Sequence, residues 1–133
     1  MNLEVKGFKY RTFGLRKEWL YQILTQEDFF SNNNLGPKQI EAFICFLKDC
    51  ELIDRKRNFT ELFKILRKIF EKEGIDSKLL WGIIWINLCF NSHLFKWWAN
   101  QKEGFYTRDD IIDLLADSYG RKNRYIVNGY SSI

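Results

Sequence analysis

The sequence has one histidine, one proline and three cysteines, and each scarcity excludes something. A lone histidine rules out the paired-His zinc motifs, and Cys45 and Cys50, five apart on a helical stretch, share no face to replace them. Cys89 and His93 stand at an i, i+4 spacing, but two ligands do not make a metal site, and a Cys–His nucleophile pair fails because Cys89 lies in an apolar run. There is no GxSxG, Walker loop, GxGxxG or CxxC, so none of the chemistries that those motifs carry is expected. A single proline leaves no Pro-rich linker, and no low-complexity segment or repeat is present. The longest apolar run, Leu79 to Phe90, is broken by Gly82 and Asn87 and falls short of the ~20 residues of a membrane span; it reads as a buried helix. An odd cysteine count without a visible targeting peptide points to a reducing, cytoplasmic location and no membrane association.

What is present is apolar and aromatic. In 133 residues, 46% are hydrophobic and 17% aromatic, enough for one domain with a real core in which a few large side chains cover much area. The net charge of +4 is mild, but it is segregated. Residues 55–72 carry seven basic side chains against Glu61 and Glu71, a local +5, whereas residues 25–54 carry a local −4.

Periodicity predicts a mainly α protein. Residues 15–24 place Leu15, Trp19, Leu20, Ile23 and Leu24 on one helical face. SNNNLG (31–36) is a polar turn, Pro37 suits a first helical position, and Ile40, Phe43, Ile44 and Leu47 follow at helical spacing to about Asp49. Glu51–Asp54 (ELID) reads as a short strand and Arg55–Asn58 as a turn, together a small β-hairpin wing. Thr60 caps a helix ending at Gly74, with Leu62, Leu66, Ile69 and Phe70 inward. Asp76 or Ser77 caps another running through Phe90, Ser92 restarts a short one, and Thr107 with Asp110 opens the last, which Gly120 ends. The order defines a winged helix-turn-helix-like core over 15–73, a helical extension over 76–120 and a tail over 121–133, all within one domain. The tail RYIVNGYSSI has no stop signal, as in a chain cut from something longer, and residues 1–14 read as irregular and basic with a short strand.

Such a core usually binds nucleic acid. The 37–49 helix would then enter a major groove, with Arg55–Arg57 on phosphates. The side of that helix opposite its apolar stripe shows Lys38, Ala42, Cys45 and Asp49, with Glu41 and Phe46 at the margins. Base-reading helices display Arg, Lys, Asn or Gln, so phosphate contact by Arg55, Lys56, Arg57, Lys64, Arg67 and Lys68 is favoured over base readout. The 37–49 helix would instead turn Lys38, Ala42, Cys45 and Phe46 toward a protein partner. The competing reading is a plain helical core with a solvated basic loop. The segment LLWGIIWINLCF with FKWW could stack on bases, but it lacks interleaved cations and reads as core. Asp109 and Asp110 are first-turn carboxylates of the kind a helix dipole favours. No catalytic residue, metal or cofactor is expected.

One resemblance adds to this. Phe13-Gly14-Leu15-Arg16 with Trp19-Leu20, then LGPKQIEAFICFLKDCELID, LLWGIIWINLCFNSHLFKWW and FYTRDDIIDLL, occur in an order that resembles the N-terminal part of the domain of unknown function 4007 family. Two positions depart from its pattern: Glu51 stands where a glycine commonly precedes "LI", and Pro37 follows Gly36. The resemblance implies a helix-turn-helix-like protein associated with DNA sulfur modification or defence, partnered by a sulfur-transfer or phosphoadenosine-phosphosulfate-reductase-like protein or domain. A reductase of that kind needs a Ser-Gly-Gly-type phosphate loop and a reactive cysteine. This chain has neither motif, so such activity would lie on further sequence, with this chain a fragment of the enzyme, or on a partner. The reading is therefore a non-catalytic DNA-associated accessory module; the alternative is a protein-interaction domain of a larger protein.

Overall fold

A computed structural model describes Tyr10, residues 13–119, Val127, Tyr130, Ser131 and Ile133. The expected N-terminal strand, the Gly120 stop and most of the 121–133 tail lie outside these residues. The described chain is mainly helical: α1 (Lys17–Thr25), α2 (Pro37–Asp49), α3 (Glu61–Glu73), α4 (Lys78–Asn91), α5 (His93–Ala99) and α6 (Arg108–Tyr119). α4 packs against α2, α3 and α5.

Local chemistry sets the helix ends. Pro37 opens α2, and the Gln39 side chain accepts from the Gly36 N–H at 3.4 Å. Thr60 Oγ1 accepts from the Phe63 N–H at 3.3 Å to start α3, and Ser77 Oγ accepts from the Leu80 N–H at 3.2 Å to start α4. At α6 the two halves of a capping box are both present: Asp110 N–H to Thr107 Oγ1 at 3.1 Å and Thr107 N–H to the Asp110 carboxylate at 3.0 Å. The bond from the Thr107 N–H, together with the Thr107 side chain, holds the Asp110 carboxyl below its ordinary pKa.

Among the described residues there is no strand. In place of the expected ELID strand and β-hairpin wing, one antiparallel bridge joins Ile53 to Phe59. The reason lies at the end of α2. Leu52 N–H reaches back to the Leu47 carbonyl at 2.9 Å and Glu51 N–H to that of Lys48 at 3.0 Å, a Schellman termination that curls the backbone away from an extended path. Its left-handed position is Glu51, at φ 61°. Glycine holds that conformation without steric cost, whereas other L-residues pay about 1–2 kcal/mol. Glu51→Gly is therefore expected to stabilise the fold by about 1 kcal/mol, less some loss from the freer unfolded chain. A higher urea midpoint at unchanged slope would show it; a lower midpoint would remove the strain argument.

The core centres on α2. Phe43, Ile44 and Leu47 are buried as the periodicity predicts, but so are Ala42, Phe46 and Asp49. Tyr10 stacks on Phe46, with ring centroids 4.0 Å apart, and Phe95 of α5 meets it edge-on at 6.0 Å. The Tyr10 hydroxyl donates to Asp49, and burial together with that carboxylate pushes the Tyr10 pKa well above its usual value. Two asparagines of α4 finish the clamp. Asn91 Nδ2 donates to the Asp49 carbonyl at 2.8 Å and Asn87 Nδ2 to that of Cys50 at 2.7 Å. These carbonyls sit at the C-terminal end of α2, where a helix leaves acceptors without partners of its own.

Candidate nucleic-acid interface

The basic segment begins in a tight turn. Arg57 N–H donates to the Asp54 carbonyl at 3.0 Å, and Asp54 N–H to that of Asn58 at 2.9 Å. The Asp54 carboxylate accepts from the N–H groups of Lys56 at 2.8 Å and Asn58 at 2.9 Å. One acidic side chain thus fixes the backbone of a loop whose tip is Arg55, Lys56 and Arg57, all exposed. Thr60 anchors the turn's far end, donating through Oγ1 to the Glu51 carbonyl at 2.6 Å. The loop has the form of a type I turn closed by a left-handed residue, a position that favours glycine. Here it is Arg57, at φ 64°.

The second part is a row on α3. Lys64, Lys68 and Lys72 are exposed and four residues apart, so they climb one side of the helix at roughly 6 Å per step. Lys64 pairs with Glu61 at 3.0 Å, both ends well exposed, an interaction of the kind that contributes about 1 kcal/mol or less. Sequence reasoning counted Lys72 in the basic segment but left it out of the candidate contacts. Its spacing from Lys68 was the available signal.

Arg67 differs from the other candidate contacts. It is half-buried, its guanidinium lies over the Phe63 ring at 4.9 Å, and its Nε is buried without a hydrogen-bond partner. It packs across the core edge with its guanidinium against a ring.

The expected partner-facing side of α2 is corrected by burial. Ala42 and Phe46 are both 0% exposed, Cys45 is half-buried, and Lys38 is exposed. Beyond Pro37 at its start, the exposed residues of α2 are Lys38, Glu41 and Lys48, with Cys45 half-buried between them, while Tyr10 and Phe95 cover Phe46. The apolar residues expected to face a partner are thus enclosed at Ala42 and Phe46.

The remaining chemistry is sparse. None of the three cysteines is in a disulfide. Burial, then the Asp49 charge, pushes the Cys50 pKa up, and burial raises that of Cys89, the reverse of what makes a thiolate nucleophile. Among the described residues no group of three or more His, Cys, Asp or Glu is placed to hold a metal ion, and no helix is long and apolar enough to cross a membrane. A shallow hollow of about 210 Å³ between Leu15, Trp81, Trp85 and Leu88 is lined mainly by apolar side chains.

Fold and surface together define a small helical protein with a turn-and-helix basic patch. Compared with family models, curated proteins and solved structures, the chain matches none of them.

Proposed function

We propose that the chain is a DNA-associated accessory module that holds the phosphate backbone through Arg55, Lys56, Arg57, Lys64, Lys68 and Lys72. The observation that carries this reading is Arg57. An arginine occupies a left-handed turn position where glycine would be less strained, at the exposed tip of a basic loop. Strain of this sort persists where a side chain is needed for something other than stability. The α2–turn–α3 unit is on this reading a reduced winged helix, with the Ile53–Phe59 bridge and its loop in the position of the wing. Backbone contact is favoured over base stacking because the only large exposed apolar side chain on α3 is Ile65, and no aromatic residue of α3 is exposed. A link to DNA sulfur modification, through a sulfur-transfer or reductase-like partner, rests on the sequence resemblance alone.

The test separates binding from folding. Fluorescence anisotropy with a labelled duplex should show affinity falling linearly with salt on logarithmic axes. Arg57→Gly should weaken binding several-fold and flatten that slope by about 0.9, while raising the thermal midpoint. No duplex binding at low salt would remove the proposal, and so would an Arg57→Gly protein that binds as well as the parent.

A further inference from the structure

Helix α4 has no charged residue from Leu79 to Asn91. Its inner side is accounted for: Leu80, Ile84 and Leu88 are buried, and Asn87 and Asn91 hold α2. Its outer side repeats the pattern. Leu79, Ile83, Ile86 and Phe90 recur at i, i+4, i+7 and i+11, one line along the helix. Leu79 is 55% exposed, Ile86 54% and Phe90 75%. The expectation that this segment is a buried helix is thus corrected on one side; Ile83 is half-buried against the core, while Leu79, Ile86 and Phe90 remain in water.

Two features say what covers it. The first is Gly82, beside the line. A Cβ built there would meet nothing within 4 Å, so no contact among the described residues calls for glycine, and mid-helix glycine is unfavourable relative to alanine. It makes a notch, and Phe90 is the projection eight residues further on. The second is charge. α4 has no acidic residue in its first turn and no basic residue in its last, and it opens with exposed Lys78 at the positive end of its own dipole.

A second copy of the same helix, lying antiparallel, answers both. A two-fold axis at Ile86 sets Ile86 against Ile86 and Phe90 of each copy beside Gly82 of the other. It also brings Lys78 of each copy to the C-terminal end of the other α4, where a cation is favourable, and opposes the two dipoles. We infer that the outer face of α4 is the contact surface of a two-fold homodimer. The exposed area of the line is on the order of 400 Å² per copy, about 800 Å² for the pair, below the range of permanent interfaces. The dimer is therefore reversible and concentration-dependent. The inference is independent of the basic surface.

Sedimentation equilibrium of the full chain, from low to high micromolar concentration, tests it. The weight-average mass should rise from the 16.1 kDa of one chain toward twice that value. Phe90→Asp should raise the dissociation constant at least tenfold. Gly82→Ala should do so less strongly while raising the thermal midpoint, since its methyl enters open space in the monomer but fills the notch. A single-chain mass across the range would overturn the inference, including a chain that stays single yet takes up a different protein. A dimer as strong in Phe90→Asp as in the parent would overturn it too, by showing that copies meet through another surface.

Discussion

Phe46→Ala is expected to destabilise the protein by about 3–5 kcal/mol, a large part of the 5–15 kcal/mol typical of a domain. Phe46 is wholly buried, stacked on Tyr10 and edge-on to Phe95, so truncation removes contacts with two other segments of the chain as well as its own buried area. The space is walled by rings and by a helix fixed at its C-terminal end, which limits collapse into the cavity. Lys48→Ala, an exposed change on the same helix, should stay within about 0.5 kcal/mol. Urea unfolding of both variants decides the matter. A loss under about 1 kcal/mol for Phe46→Ala would mean that this side of α2 is open to solvent, and would restore it as a contact surface.

Replacing Arg55, Lys56 and Arg57 together by alanine should reduce duplex affinity by on the order of 100-fold at low salt and flatten the logarithmic salt dependence by nearly three units. All three are exposed at the tip of the Asp54-held turn, and the carboxylate bonds to backbone N–H groups that alanine retains, so the fold should survive. Circular dichroism would check that. Lys38→Ala with Lys48→Ala, on the exposed strip of α2, serves as the comparison and should flatten the slope far less. Equal effects from the two sets would show that the chain responds to total charge rather than to a localised surface.

Much of the architecture was legible because the helix signals are local. Pro37, Thr60, Ser77 and the Thr107–Asp110 pair each act within one turn, and the helices begin where these residues place them. Solvent exposure of Arg55, Lys56, Arg57, Lys64 and Lys68 was legible for a similar reason, since charged groups remain in water unless paired. Phe46 was misread because its cover comes from Tyr10 and Phe95, both far along the chain, and helical periodicity carries no information about either. The half-burial of Arg67 was not legible because a long cationic side chain can lie along a ring as readily as point outward. α4 was ambiguous for another reason: a helix apolar on all sides has no stripe to say which side is inside. Glu51 shows the reverse case. The missing glycine before "LI" was visible in the sequence, but its cost became evident only from the left-handed backbone at that position.

The two amide side chains of α4 that hold the end of α2 have a consequence for how the molecule comes apart. Asn87 and Asn91 span 37 and 42 residues to reach Cys50 and Asp49. The carbonyls of Asp49 and Cys50 at the end of one helix are therefore met only once a helix made much later on the ribosome has docked. Residues 15–73, released alone, would lack that cap, and the two parts should open as one cooperative unit. Native-state amide exchange should then report a common opening free energy for the slowest amides of α2 and α4, not a ranking in which the earlier helix survives the later one.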